Sequence, residues 1–302
     1  VKNGELSDFI KLAEAYQSRR LTNIADKILA DPFKPRLIFL AGPSSSGKTT
    51  TAKRLAIEFR IMRKEVIMLS LDDYYLPHAF IADDPVSGIK NFEKITALNT
   101  GLFRDNIHDL LRGKAVHLPK YYFDGKGAIP RKEATLISPE TLIIVEGIHG
   151  LNPELWKNMM EVDSFRLYVS ALTTLNIHDH LPFSTSDHRL IRRLVRDQLF
   201  RGYDINETIQ RWPYVLQNEY DSIFTFQESA HAIFNSALIY EMAVFSFYGK
   251  KILRREVAVN DQIREEVKRL NRVLSLLTPI DPNDIPPTSI LREFIGGSSF
   301  KY

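Results

Sequence analysis

The run Gly42-Pro43-Ser44-Ser45-Ser46-Gly47-Lys48-Thr49 matches the pattern G-x-x-x-x-G-K-[ST] in full. Small residues there let successive backbone N–H groups converge on phosphate oxygens. A helix starting at the same point adds partial positive charge. Lys48 supplies a point charge for β- and γ-phosphates, Thr49 a hydroxyl for Mg²⁺, and Thr50 extends the helix start. A Gly/Ser-rich turn that binds nothing is the plain alternative. The context favours phosphate binding, because the apolar run 36–41 precedes the motif and the helical TTAKRLAIEFR follows it.

Two acidic positions fall where strands should end. Asp72 and Asp73 follow the apolar run 66–70, and Glu146 follows 142–145. Alternation along a strand turns only one of the aspartates toward the phosphates. Such a carboxylate accepts a proton from a hydroxyl or holds Mg²⁺ through water, unless it merely caps a turn. Glu146 stands where phosphate-loop proteins keep a Mg²⁺-side carboxylate; the alternative is an ordinary loop acid. Arg189, Arg192, Arg193 and Arg196 share one helix face at i, i+3, i+4, i+7, and Arg201 follows. That face is either solvated or a lid that closes guanidinium forks over a phosphoryl group. Tyr74, Tyr75, Phe92, Tyr121, Tyr122 and Phe123 either stack on a planar base or pack the interior. His178 and His180 show no convincing metal spacing.

These groups need a scaffold. Short apolar runs at 36–41, 66–70, 142–145, 165–169 and 232–235 read as buried parallel strands. Helical segments at 49–64, 98–112, 187–200 and 237–246 alternate with them. The expected class is α/β: a P-loop NTPase-type parallel sheet with helices on both faces and a helical lid. Two amphipathic helices are expected within 6–30, making 1–35 a helical lead-in. Residues 36–302 form the main domain, with the lid around 176–203, a proline-rich loop at 279–288 and a helical tail.

Composition bounds the partners. The 302 residues are 44% hydrophobic and 25% charged, which suits a folded chain with a large core. Forty Lys+Arg against 37 Asp+Glu leave +3, too little to point to nucleic acid or an anionic membrane. The absence of cysteine excludes disulfides, thiolate metal sites and Cys nucleophiles. No apolar run reaches membrane-span length, and the acidic N-terminal stretch is not a signal peptide. Val1 in first place is expected if the chain is excised from something longer.

The ordered set of GPSSSGKTT, LSLDDYY (69–75), NFEKITALN (91–99), PKYYF (119–123), LIIVEGIHG (142–150) and RRLVRDQLFRG (192–202) resembles the uridine kinase and phosphoribulokinase family, over roughly residues 36–247. The resemblance implies ATP (or GTP) and Mg²⁺, with Gly42 through Thr50 and Arg193 on the nucleotide. It implies Asp72 as base, with Lys48, Arg192 and Arg196 acting on the transferring group. Tyr75, Phe92, Glu93, Tyr121, Lys126, Arg196 and Arg201 fall on the acceptor, and Thr49, Glu146 and Asp72 on the metal. The implied activity is phosphorylation of a pyrimidine nucleoside at its 5′-hydroxyl, uridine or cytidine first and thymidine next, in the cytoplasm. Another small alcohol, or a nucleotide-dependent RNA-associated switch, is the alternative, and a homo-oligomer is left open. Four departures concern acceptor or lid: Tyr122 for the usual Asp, Lys126 for a base-reading His, Tyr203 for a frequent Arg, and a longer 176–188 stretch. RWPYVLQNEY, FQESAHAIFNS and TSILREFIGGS are similar to a subgroup whose kinase part follows a portion related to threonyl-tRNA synthetase.

Overall fold

The computed structural model describes residues 5–83, 88, 90–122, 127–156, 159, 163–173, 176–178, 181–253 and 261–302. Helix α1 (Glu5–Leu29) precedes strand β1 (Leu37–Ala41), helix α2 (Lys48–Ile61) and strand β2 (Val66–Ser70). Then come α3 (Thr100–Leu111), the hairpin β3 (Pro119–Tyr122) and β4 (Gly127–Pro130), and β5 (Leu142–Glu146). Short α4 (Pro153–Trp156) leads to β6 (Ser164–Ser170), followed by the hairpin β7 (Asn176–His178) and β8 (Leu181–Pro182). Helices α5 (Thr185–Arg196) and α6 (Ile205–Ser222) precede β9 (Ala232–Asn235), α7 (Glu241–Ile252), α8 (Asp261–Ser275) and α9 (Arg292–Ile295).

Five strands form one parallel sheet in the order β2-β5-β1-β6-β9. Strand alternation divides the core. Ile38, Leu40 and Ile144 face Leu55 and Phe59 of α2, while Phe39, Ile143 and Val145 face Phe103 and Ile107 of α3. Helices thus cover both faces, which a parallel sheet requires. A second apolar cluster joins α5, α6, α7, α8 and the C-terminal residues Ile290, Leu291 and Phe294. No helix among the described residues is long and apolar enough to cross a membrane.

The N-terminal stretch corrects one expectation: α1 is a single 25-residue helix rather than two. The apolar pattern lapses between Ala13 and Leu21 because Glu14 and Gln17 face inward there. Tyr240 donates to Glu14 at 2.5 Å, and Gln17 bonds the Ser236 carbonyl and the Arg54 guanidinium. Satisfied polar groups continue the buried stripe, at little cost compared with unpaired ones. Leu21, Ala25 and Ile28 complete the stripe, and α1 packs on α2 and β9.

Candidate active site

The phosphate loop leaves β1 and enters α2. Gly42 is required by proximity, since a Cβ there would lie 1.9 Å from the Val169 carbonyl oxygen. Gly47 is required by conformation: its φ of +81° caps α2 in the left-handed region. Lys48 folds back to donate to the Pro43 carbonyl at 3.0 Å. The hydroxyls of Ser45 and Ser46 are buried without a partner among the described residues, so the loop holds spare hydrogen-bonding capacity.

Parallel register sets the carboxylates beside this loop. Glu146 pairs with Leu40 on β1 and with Ser70 on β2, so one row crosses all three strand ends. Its carboxylate accepts from Ser70 Oγ at 3.1 Å and from Thr49 Oγ1 at 3.4 Å. Burial, and secondarily Asp72, raise its pKa to about 7. Asp72 lies on a short 3-10 turn after β2 and opens into the cleft. The surrounding walls desolvate it and raise its pKa, while Lys48 and a hydrogen bond from Tyr75 pull it down. Asp73 lines the same cavity, but its carboxylate is engaged: it accepts from the Tyr121 amide at 3.2 Å and pairs with Lys120 at 3.1 Å. Strand alternation predicts that only one of the two faces the phosphates; both instead sit on the turn and line the cavity.

Tyr75, Phe92 and Tyr121 come together edge to face, with ring centres 5.0 and 5.7 Å from Tyr75. Glu93 lines the cleft next to them, with a pKa raised to about 7 by burial and by Glu219. Lys126, Phe123 and His180 lie outside the described residues. Among the described residues no cluster of three or more His, Asp or Glu forms a metal cage. Thr49, Glu146 and Asp72 nevertheless line one cavity of about 910 Å³ with Lys48 and the loop. An all-oxygen set of one hydroxyl and two carboxylates suits Mg²⁺, which takes few protein ligands and completes its shell with water and substrate phosphate.

The arginine face is the largest correction. Helix α5 is buried nearly all round, and its basic face turns into the protein. Arg192, expected at the reacting phosphoryl group, is 0% exposed. It pairs with Glu241 at 2.6 Å, donates to the carbonyls of Ser45 and Ser236, and lies 4.8 Å from the Phe294 ring centre. Arg189 likewise pairs with buried Glu219 at 2.8 Å and donates to the Ser44 carbonyl. Glu219 in turn accepts from the Ser44 amide at 2.6 Å. These two arginines brace the loop from behind. Their apolar neighbours Leu190, Ile191, Leu194 and Val195 are also buried.

Arg193, Arg196 and Arg201 do line the cavity. Arg193 donates to Ser44 Oγ at 3.1 Å. All three converge on buried Asp197, at 3.3, 3.1 and 3.7 Å. The π-type turn Asp197–Arg201, closed by left-handed Gly202, extends the face beyond α5 and brings Arg201 to the cleft. Sequence reasoning missed Ser70, Lys120, Glu219, Glu241 and the C-terminal Glu293 and Tyr302. Glu219 and Glu241 sit in ordinary helical runs, and only three-dimensional pairing marks them.

Residues 37–240 match the Phosphoribulokinase / Uridine kinase family. The chain is 29% identical over 184 residues to a uridine kinase of Halalkalibacterium halodurans, covering 61% of this chain and 77% of that protein. It is 26% identical over 238 residues to a uridine kinase of Saccharomyces cerevisiae, covering 78% of this chain and 43% of that longer protein. Among solved structures, a D-glycerate 3-kinase from Cryptococcus neoformans superposes with a TM-score of 0.45 at 14% identity, covering 75% of this chain and 90% of that one. With the family match spanning the sheet, the phosphate loop and the arginine helix, the chain belongs to the phosphoribulokinase/uridine kinase family of ATP-dependent phosphotransferases.

Proposed function

We propose that the chain transfers the γ-phosphoryl group of ATP to the 5′-hydroxyl of a pyrimidine nucleoside. The observation that carries this reading is Asp72: it stands in the same cavity as Lys48 and is hydrogen-bonded by Tyr75, whose ring packs against Phe92 and Tyr121. The loop amides and Lys48 hold the triphosphate. The acceptor nucleoside lies against Tyr75, with Glu93 and Lys120 within reach of its polar edges. Asp72 takes the hydroxyl proton as the new O–P bond forms and the bond between the γ-phosphorus and its bridging oxygen breaks, leaving ADP. Arg193, Arg196 and Arg201 neutralise charge on the transferring oxygens. Arg192 contributes by fixing the loop. Mg²⁺, for which Thr49, Glu146 and Asp72 are the fitting ligands, supplies further charge neutralisation when bound.

Closely placed donor and acceptor sites make positioning the main source of rate. The test offers ATP, Mg²⁺ and a panel of alcohols, with products identified by mass. Uridine or cytidine monophosphate is the expected product. Lys120 on the acceptor wall gives reason to include an acidic alcohol such as a glycerate or a sugar phosphate. Exclusive phosphorylation of that compound would replace the nucleoside reading, and hydrolysis with no acceptor would defeat phosphoryl transfer to alcohols.

A further inference from the structure

Residues 289–302 lie beyond the family match at 37–240, yet they return to the phosphate loop and line its cavity. Ile290 fills the space against Gly47, where its Cδ1 stands 2.5 Å from where a Cβ would be. Phe294, fully buried, anchors α9 on Arg192. Glu293 reaches the first turn of α2 and accepts from the Thr50 amide at 3.2 Å and from the Thr50 hydroxyl. Both bonds use Oε2; Oε1 takes no hydrogen bond among the described residues. Left-handed Gly296 and Gly297 (φ +84° and +72°) then turn the chain along the cavity wall. At its end the Tyr302 hydroxyl is 2.8 Å from Thr50 Oγ1, and the Lys53 ammonium is 4.2 Å from the Tyr302 ring centre.

Sheet order gives this wall a direction. Asp72 and the acceptor aromatics follow β2 at one edge of the sheet, and the phosphate loop follows β1 in its middle. The C-terminal wall rests on α5, which packs against α7, the helix after β9 at the other edge. A triphosphate whose reacting end faces Asp72 therefore directs its other end toward Thr50, Lys53 and residues 296–302. We infer that residues 289–302 form the subsite for the donor's nucleoside, with Phe300 and Tyr302 against the base and the Glu293 carboxylate toward the sugar hydroxyls. Aromatic faces suit a planar base, and an acceptor-only carboxylate with a spare oxygen suits a vicinal diol. This inference rests on reading the cleft as an ATP-dependent transfer site, and it adds that a tail outside the family match selects the donor.

The test separates the nucleoside from its phosphates. Calorimetry measures ADP and inorganic tripolyphosphate binding to the wild type and to the Phe300→Ala/Tyr302→Ala variant. Tyr302 is 61% exposed, so its loss spares the core. The expected result is ADP binding weakened at least about tenfold, the scale of one lost base–aromatic stack, with tripolyphosphate binding within about twofold of wild type. Unchanged or tighter ADP binding overturns the inference, the latter by making the tail a plug. An equal loss for both ligands also overturns it, because the tail would then only support the loop. The functional reading fails separately: a wild type that binds ADP but phosphorylates no alcohol defeats it while these binding results still decide the subsite.

Discussion

Asp72 and Glu146 occupy one cleft in similar surroundings, yet different chemistry is asked of each. The base must be ionised, so Asp72→Asn is expected to bind nucleotide normally and to lose about 10²–10⁴-fold in kcat. Near-wild-type turnover in a steady-state assay would remove it from that role. Because desolvation raises the Asp72 pKa above its ordinary 3.8, the acid limb of kcat/KM should lie above that of a free aspartate. Glu146 and Glu93 carry a stability consequence. Their folded pKa values, about 7, exceed the ordinary 4.5, so between those limits the folded chain holds more protons than the unfolded one. Stability therefore falls as pH rises through that window and levels off above 7. Glu146→Gln is expected to raise Tm at pH 8 by about 1–2 °C in the nucleotide-free protein and to change it little at pH 5. Thermal scans at the two pH values check this.

The elements show why some roles were legible in the sequence and others were not. A phosphate loop declares itself because backbone geometry fixes residue type: only glycine serves at Gly42 and Gly47. Gly47→Ala meets both a φ of +81° and Ile290, and is expected to abolish ADP binding and to destabilise the fold by more than about 1 kcal/mol. Strands β2 and β9 have the bounds their apolar runs suggest, although as the two edge strands each buries a single residue, Leu69 and Phe234. The arginine helix misled because spacing reveals a shared face but not what that face meets. Buried Glu219 and Glu241 come from α6 and α7, distant in sequence, and convert two of the arginines into braces. Arg192→Met strands Glu241 in the interior and is expected to cost about 3–5 kcal/mol in urea unfolding, with part recovered by adding Glu241→Leu. Arg196→Ala at the cleft leaves buried Asp197 two of its three arginines, so it should cost less stability than Arg192→Met while lowering kcat by about 10²–10³. Burial raises the Glu241 pKa, but Arg192 and His188 outweigh it and hold it at about 2. The pair's contribution is thus present above pH 4.5 and lost as pH falls toward 2.

Over the whole molecule, the catalytic sheet is held by helices from both ends of the sequence. Removing residues 5–30 takes Leu21, Ala25 and Ile28 out of the core they share with Leu55 and Phe59 of α2, uncovers those partners, and leaves Arg54 without Gln17 and Ser18. Loss of that burial is worth on the order of 5 kcal/mol, comparable to the net stability of a domain. The shortened chain is expected to show no cooperative thermal transition by circular dichroism, and a sharp transition near the wild-type Tm would contradict this account of α1. The loop's support also reaches α6, where Trp212 lies 5.3 Å from the guanidinium of Arg189, the residue that grips the Ser44 carbonyl. The second tryptophan, Trp156, sits instead against Arg166. Nature has therefore wired an ultraviolet fluorophore to the loop's backbone: with Trp156→Phe silencing the background, the emission of one indole should report ligand arrival in real time without any added dye.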